Sequence, residues 1–396
     1  MVEHNNQMRK LAIITTHPIQ YYAPVFKLLH ERGEISIKVF YTAGEAALNN
    51  YDPGFGKKIT WDIPLLDGYL YEWAQNTAGN PGSHHFKGII TPGLVGQINA
   101  WKPDALLVIG WAYHGHLKAI RYFKNKIPVL FRGDSILSDE VNRIRSALKY
   151  IFLKWVYRHI DTAFYNGTKN KEYFKKHGLK DEQLIFAPHA IDNERFGAKR
   201  EQEVNVFKQE MGLTPTDLLV LFAGKLEEKK DPGILLDAII ALNDPKVHLL
   251  FTGSGALTNM LKLKAASYNN IHFVDFQNQD NMPVMYQACD LFCLPSKGPA
   301  ETWGLAVNEA MACSKAILVS DKCGCAIDLV QNDKNGAIFK SGSLDDLLFN
   351  IKKLTKSKDI LIGYGKVSHS VIKPFSFLNI AKAIETMGQA NLMKKN

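Results

Sequence analysis

Apolar runs rich in β-branched residues alternate with stretches of helical spacing from one end of the chain to the other. The run 10–17 (KLAIITTH) predicts a first strand that stops before Pro18 and opens a loop over 17–20; a helix follows over 22–31 and a second strand over 35–42 (ISIKVFYT). Further strands are predicted over 105–109 (ALLVI), 127–131 (IPVLF), 162–165 and 183–188 (QLIFAP), with a helix over 169–177. Strand, helix, strand in this order predicts a parallel sheet with crossover helices. The segment 48–83 breaks the pattern with Gly, Pro and aromatic residues at no period. It reads either as a lid over an acceptor or as a hairpin insertion with no part in the chemistry.

The pattern then restarts. Strands are predicted over 218–223 (LLVLFA), 247–252 (VHLLFT), 271–276 (IHFVDF), 291–294, 316–320 and 337–339, with a helix over 282–288 and, after Pro374, a last helix over 377–388. Between the halves, the polar run 197–205 (GAKREQEVN) reads as a linker. The class is therefore α/β, with Rossmann-like parallel-sheet domains at 1–198 and 206–373 and a closing segment at 374–396. Two such sheets facing each other would bring the strand ends of both to one cleft, which suits a transfer between two substrates.

Those strand ends hold the candidate chemistry. His17 ends the first strand and is either a ligand contact or a turn residue. Strand 105–109 empties into Gly110, Trp111, Tyr113, His114 and His116, which resembles a pocket wall. Arg132, Gly133 and Asp134 follow the next strand, where a general base or phosphate contact competes with an internal salt bridge. In the second half, Gly224 leads to Lys225, Lys229 and Lys230, and lysines five apart can aim two ammonium groups at a diphosphate. Gly253-Ser254-Gly255 lacks the third glycine of a dinucleotide fingerprint and is weak alone. In 300–320 (AETWGLAVNEAMACSKAILVS), Glu301 precedes a helix start at Trp303, Gly304 and Leu305, whose N–H groups suit phosphate, and Glu309 sits among apolar residues inside the helix. A buried carboxylate needs donors, and a ribose would supply two hydroxyls. A capping glutamate and a salt-bridged glutamate are the plainer alternative.

Composition narrows the partners. The chain has 396 residues, 46% hydrophobic and 22% charged, enough for two domains with their own cores. The net charge of +9 implies an acidic partner, but no nucleic-acid module accompanies it. The charge concentrates at 142–160 (NRIRSALKYIFLKWVYRHI), where Arg143, Arg145, Lys149, Lys154 and Arg158 interleave with apolar residues. This stretch reads either as a helix docking on an anionic membrane surface or as a core helix with a solvated basic face. Five cysteines, all beyond 288, make no zinc spacing and read as reduced buried thiols; Cys323-Gly324-Cys325 is a weak metal candidate. No apolar run is long enough to span a membrane, and the N-terminus reads as a strand and not a signal peptide, so a cytoplasmic protein is expected.

GKLEEKK (224–230), FTGSG (251–255), YQACDLFCLPS (286–296) and ETWGLAVNEAMACSKAILVS (301–320) resemble, in the same order, the signature segments of GT-B glycosyltransferases of family 4. THPIQYYAP (16–24) is similar to a subgroup often found in bacterial surface-polysaccharide clusters. The resemblance implies a GT-B fold whose last helix crosses back to the first domain. It implies retaining transfer from a nucleotide-diphosphate sugar, with neither metal nor cofactor, to a saccharide or lipid-linked acceptor at the inner membrane face. Lys225, where the family usually has Arg, and Lys230 would neutralise the diphosphate. Glu301 would lie near the donor sugar, Glu309 would bond the ribose, and Gln277 would line the base. Gly224, Gly253, Thr302 and the backbone at Trp303, Gly304 and Leu305 would complete the donor site. Asp134 would stand where many members carry a His, and His17, Trp111, His114 and Arg132 would lie on the acceptor side. His17-Pro18-Ile19-Gln20 replaces the family's glycine loop, and His189-Ala190 its Asn-Gly. A nucleotide-sugar epimerase of this architecture and an inactive glycan-binding subunit are the alternatives.

Overall fold

The computed structural model describes residues 9–45, 51–52, 57–58, 60–137, 143–298 and 301–390. The chain forms two compact units, one of Met1–Asn50, Pro64–Pro188 and Phe377–Asn396, the other of Tyr51–Ile63 and His189–Ser376.

The first unit is built on a seven-stranded parallel sheet in the order Leu70–Trp73, Ser36–Tyr41, Lys10–Thr15, Ala105–Ile109, Val129–Arg132, Thr162–Tyr165, Leu184–Phe186. The inner strand Lys10–Thr15 is apolar on both faces because both are covered: Ala12, Ile13 and Ile14 have no exposed surface. The strand expected from 127 pairs only from Val129, opposite Leu106, since Pro128 has no N–H for the ladder. The edge strand Leu70–Trp73 was hidden in the aperiodic segment. It has one neighbour and leaves Leu70 and Tyr71 exposed, so it lacks the apolar signal of an inner strand. Helix Phe377–Ala390 belongs to this unit, where Glu385 accepts from Arg32 Nε and Nη2 at 2.8 and 3.0 Å.

His116 lies at the unit's centre with no exposed surface. Its Nδ1 bonds the Gly110 carbonyl at 2.6 Å and its Nε2 the Thr42 hydroxyl at 2.7 Å, a hydroxyl that also reaches the Thr15 carbonyl at 3.1 Å. Burial lowers its pKa from 6.5 to about 4. The unfolded chain takes up this proton near 6.5 and the folded chain refuses it down to about 4, so stability present at neutral pH is lost as pH falls through that window. The expected loss from this residue is about 3 kcal/mol. An NMR titration in which His116 of the folded protein protonates near neutrality would contradict the assignment.

The second unit has a six-stranded parallel sheet, ordered Ile271–Val274, Val247–Thr252, Leu218–Ala223, Leu291–Leu294, Ala316–Ser320, Gly336–Phe339. Numbered along the chain this is 3-2-1-4-5-6, so strand order reverses between Leu218–Ala223 and Leu291–Leu294, where the carboxyl ends leave a crevice. The expected linker is instead mostly helix, Glu201–Glu210, with no buried residue. Its apolar stripe is only Val204 and Phe207, continued by Met211, all half-buried, too short a signal to mark a helix in the polar run. It is tied on through Arg200, whose N–H donates to Gln287 Oε1 and whose guanidinium pairs with Asp280. Of the irregular segment, Tyr51–Asp52 and Lys57–Lys58 pair antiparallel in this unit.

Candidate functional site

At the switch point of the second unit, the strand ends carry Gly224 and Gly253 pressed together. A Cβ on Gly253 would lie 2.2 Å from the Gly224 carbonyl oxygen, and its φ of +129° excludes most side chains as well. The two loops then interlock: Leu226 N–H donates to Ser254 O and Leu257 N–H to Leu226 O. This leaves Lys225 half-buried directly beyond the strand. Lys230 follows on the short helical turn Glu228–Lys230.

Lys230 and Glu301 meet here. Lys230 Nζ lies 2.6 Å from Glu301 Oε2, and the side chains are only 17% and 12% exposed. Ser296 Oγ donates to the same carboxylate oxygen at 3.1 Å. The loop after Leu291–Leu294 is held against the lysine turn by Lys297 N–H donating to Lys229 O. Behind Glu301, Gly324 N–H donates to its carbonyl and Cys325 N–H to that of Trp303, both at 3.0 Å. A Cβ on Gly324 would lie 1.8 Å from Thr302 O, so glycine lets the two backbones meet. Cys323-Gly324-Cys325 therefore serves through its backbone. Burial pushes the Cys323 thiol up to about 12 and that of Cys325 well above its ordinary value, so neither is a reactive thiolate.

Gly304 caps helix Leu305–Ala312, and Leu305 and Ala306 in its first turn stay half-exposed. First-turn N–H groups have no intrahelical carbonyl to reach. Glu309, one turn in, is 5% exposed and accepts from Tyr286 Oη at 2.7 Å. The Trp303 indole is buried; its Nε1 donates to Asn308 Oδ1, and Asn308 Nδ2 donates to His189 O, each at 2.9 Å. Trp303 thus offers its backbone, while its ring anchors the loop. Gln277 is held within its own loop, its Oε1 accepting from Asn281 Nδ2 and its Nε2 donating to Asp275 O. Asn278 Nδ2 reaches Thr60 O at 2.7 Å and Asp280 N–H reaches Asp62, so the segment 60–62 lies on this loop.

In the first unit the order reverses between Lys10–Thr15 and Ala105–Ile109. His17 and Trp111 follow those two strands. His17 Nδ1 bonds Thr16 Oγ1 at 2.9 Å, and burial holds its pKa down. Trp111 packs edge-on against Phe152, and exposed His114 opens helix His114–Phe123. Asp134 receives Asn166 Nδ2 at 3.4 Å, and Asn170 Nδ2 pins its loop through the carbonyls of Gly133 and Ser135. Arg132 differs from its expected acceptor-side place. It is 3% exposed, and its guanidinium donates to Ala187 O, Pro188 O and Tyr22 Oη at 2.8, 2.9 and 3.2 Å. Inward-facing and bonded to backbone, it holds the end of the unit together.

Residues 204–366 match the family model of glycosyl transferases group 1. The matched stretch lies within the second unit. D-inositol 3-phosphate glycosyltransferase of Mycolicibacterium gilvum is 27% identical over 184 residues, 44% of this chain and 40% of that protein. The chain spans about half the length, or less, of the curated relatives it matches. The structure of Anabaena Alr3699/HepE in complex with UDP and glucose aligns over 96% of this chain and 100% of its own, with a TM-score of 0.69 at 18% identity. WaaG, a glycosyltransferase involved in lipopolysaccharide biosynthesis, aligns over 96% and 100% with a TM-score of 0.67 at 12% identity. At these identities the likeness is one of fold, and the fold is GT-B.

Within the matched stretch 204–366, Gly224, Lys225, Lys230, Gly253, Glu301, Thr302, Trp303, Gly304, Leu305 and Glu309 all fall on the strand-end loops or the helix that follows them. Four supporting residues had no assigned role: Ser296, Tyr286, Asn308 and Gly324. Tyr286 and Ser296 lie inside the YQACDLFCLPS segment, but a hydroxyl aimed at a glutamate, five residues on for Ser296 and twenty-three for Tyr286, leaves no trace in residue type.

Proposed function

We propose that the chain is a retaining glycosyltransferase that takes a nucleotide-diphosphate sugar, without a metal, and passes the sugar to a saccharide or lipid-linked acceptor in bacterial surface-glycan synthesis. The observation that carries this reading is the Lys230–Glu301 pair at 2.6 Å, next to the N-terminus of the helix that contains buried Glu309. Lys225, Lys230 and the first-turn N–H groups would meet the diphosphate and the charge that grows on it as the sugar departs. Glu301 would bond the sugar. Glu309, already oriented by Tyr286, would bond the ribose, and Gln277 would face the base. Asp134, His17, Trp111 and His114 stand at strand ends of the first unit, on the acceptor side. The surface-glycan role rests on the resemblance of 16–24 and puts the protein at the inner face of the membrane.

A thermal-shift panel of nucleotides and nucleotide sugars tests the donor reading, because a ligand that binds only the folded state raises its stability with affinity. A rise with one nucleotide diphosphate and its sugar is expected; no rise with any of them would overturn the proposal. Isomerisation of the donor with no acceptor present would make the protein an epimerase instead.

A further inference from the structure

Helix Arg143–Tyr157 has two apolar faces. One points inward: Leu153, Val156 and Tyr157, continued by Ile160, are all at most 2% exposed. The other repeats the same spacing outward, with Leu148 and Ile151 each 65% exposed, Phe152 42% exposed and Trp155 half-buried beside them. Steps of three, one and three keep each set within an arc about 100° wide. One such arc suffices to join a helix to its core; the second faces solvent.

The charge on this helix is of one sign. No Asp or Glu occurs from 141 to 160, while Lys149, Lys154 and Arg158 are exposed. The Trp155 ring lies between Arg121 and Arg158, at 5.3 and 6.0 Å, and Lys154 lies over Tyr150. Asn142 and the side chains of Arg143 and Arg145 are outside the described residues. Among the described residues no helix is long and apolar enough to cross a membrane.

We propose that the outward face of Arg143–Tyr157 seats the first unit on an anionic lipid surface, with Leu148 and Ile151 entering the interface and Lys149, Lys154 and Arg158 meeting headgroups. The proposal rests on the reading of the acceptor as lipid-linked. Lysine is depleted where proteins bind proteins, whereas apolar residues rimmed by Lys and Arg, with Trp and Tyr at the boundary, are the make-up of interfacial helices. The helix follows strand Val129–Arg132 and the Asp134 loop, so its start lies on the side of the strand carboxyl ends. Seating it on lipid brings that edge of the sheet to the surface.

The test is co-sedimentation of the full chain with phosphatidylcholine vesicles, with and without phosphatidylglycerol. Binding only to the anionic vesicles is expected, weakening as salt is raised. Lys149→Gln/Lys154→Gln/Arg158→Gln should lower the partition on the order of a hundredfold, at about tenfold or less per charge. Leu148→Ser/Ile151→Ser, at two exposed positions, should lower it roughly tenfold or more without loss of fold. Equal binding by either variant, or no binding by the wild type, overturns the proposal. Self-association lost in Leu148→Ser/Ile151→Ser, with no vesicle binding by the parent, would assign the face to a second copy. The nucleotide thermal shift should survive in both variants, and vesicle binding without any nucleotide shift would retain this surface while removing the donor reading.

Discussion

Replacing Lys230 with alanine is expected to lower kcat/KM for sugar transfer by about 10² to 10³. The ammonium is 17% exposed and already fixed 2.6 Å from Glu301, so little water screens it and little reorganisation is needed when a diphosphate arrives. Catalysis gains from a charge in proportion to how much more strongly it is felt in the transition state, and the leaving diphosphate is where negative charge grows. Lys230→Arg keeps a cation and should restore part of the rate, whereas Lys230→Met keeps only the stem and should not. The measurement is kcat/KM with the donor identified by thermal shift, beside a urea titration to separate lost catalysis from lost folding. Unchanged turnover in the alanine variant would remove Lys230 from the mechanism.

Gly324→Ala is expected to destabilise the second unit by about 3 kcal/mol or more and to weaken nucleotide binding with it. The new methyl would sit 1.8 Å from Thr302 O and 2.9 Å from Trp303 N, atoms of backbone that cannot rotate away. Relief requires moving either the 301–303 loop or the turn that holds it through the Glu301 and Trp303 carbonyls. Gly363 serves as the control. It lies within helix Lys358–Ile372, and a methyl there would meet nothing within 4 Å, so Gly363→Ala should stabilise by roughly 0.5–1 kcal/mol. Urea midpoints of the two variants that move together would discount the steric account.

The parts of the fold that could be read from the sequence were those whose signal is local. Leu218–Ala223 and Lys10–Thr15 are inner parallel strands, buried on both faces, and announce themselves as apolar runs. The edge strand Leu70–Trp73 has a partner on one side only and shows no period, and helix Glu201–Glu210 shows only the brief step Val204, Phe207. The same division runs through the site. Glu301, Glu309 and the lysines were recognisable by residue type at strand ends. Arg132 looked identical to a ligand-binding arginine in sequence; its carbonyl partners, Ala187 and Pro188, lie more than fifty residues away. What a buried side chain is bonded to is a long-range fact.

The closing helix Phe377–Ala390 joins a unit whose other residues end at Pro188, which gives the chain a timetable. During synthesis the sheet from Leu218 to Phe339 emerges whole and can close while the first unit still lacks its last piece. At ribosomal speed roughly 10–40 s separate the making of Pro188 from that of Phe377. Throughout that interval Arg32 waits for Glu385, and the seat of Ile380, Ala381 and Ile384 stands open to water. A chain that stops short of residue 377 would therefore leave the ribosome with its second unit finished and its first unsealed, the form most exposed to chaperones and proteases.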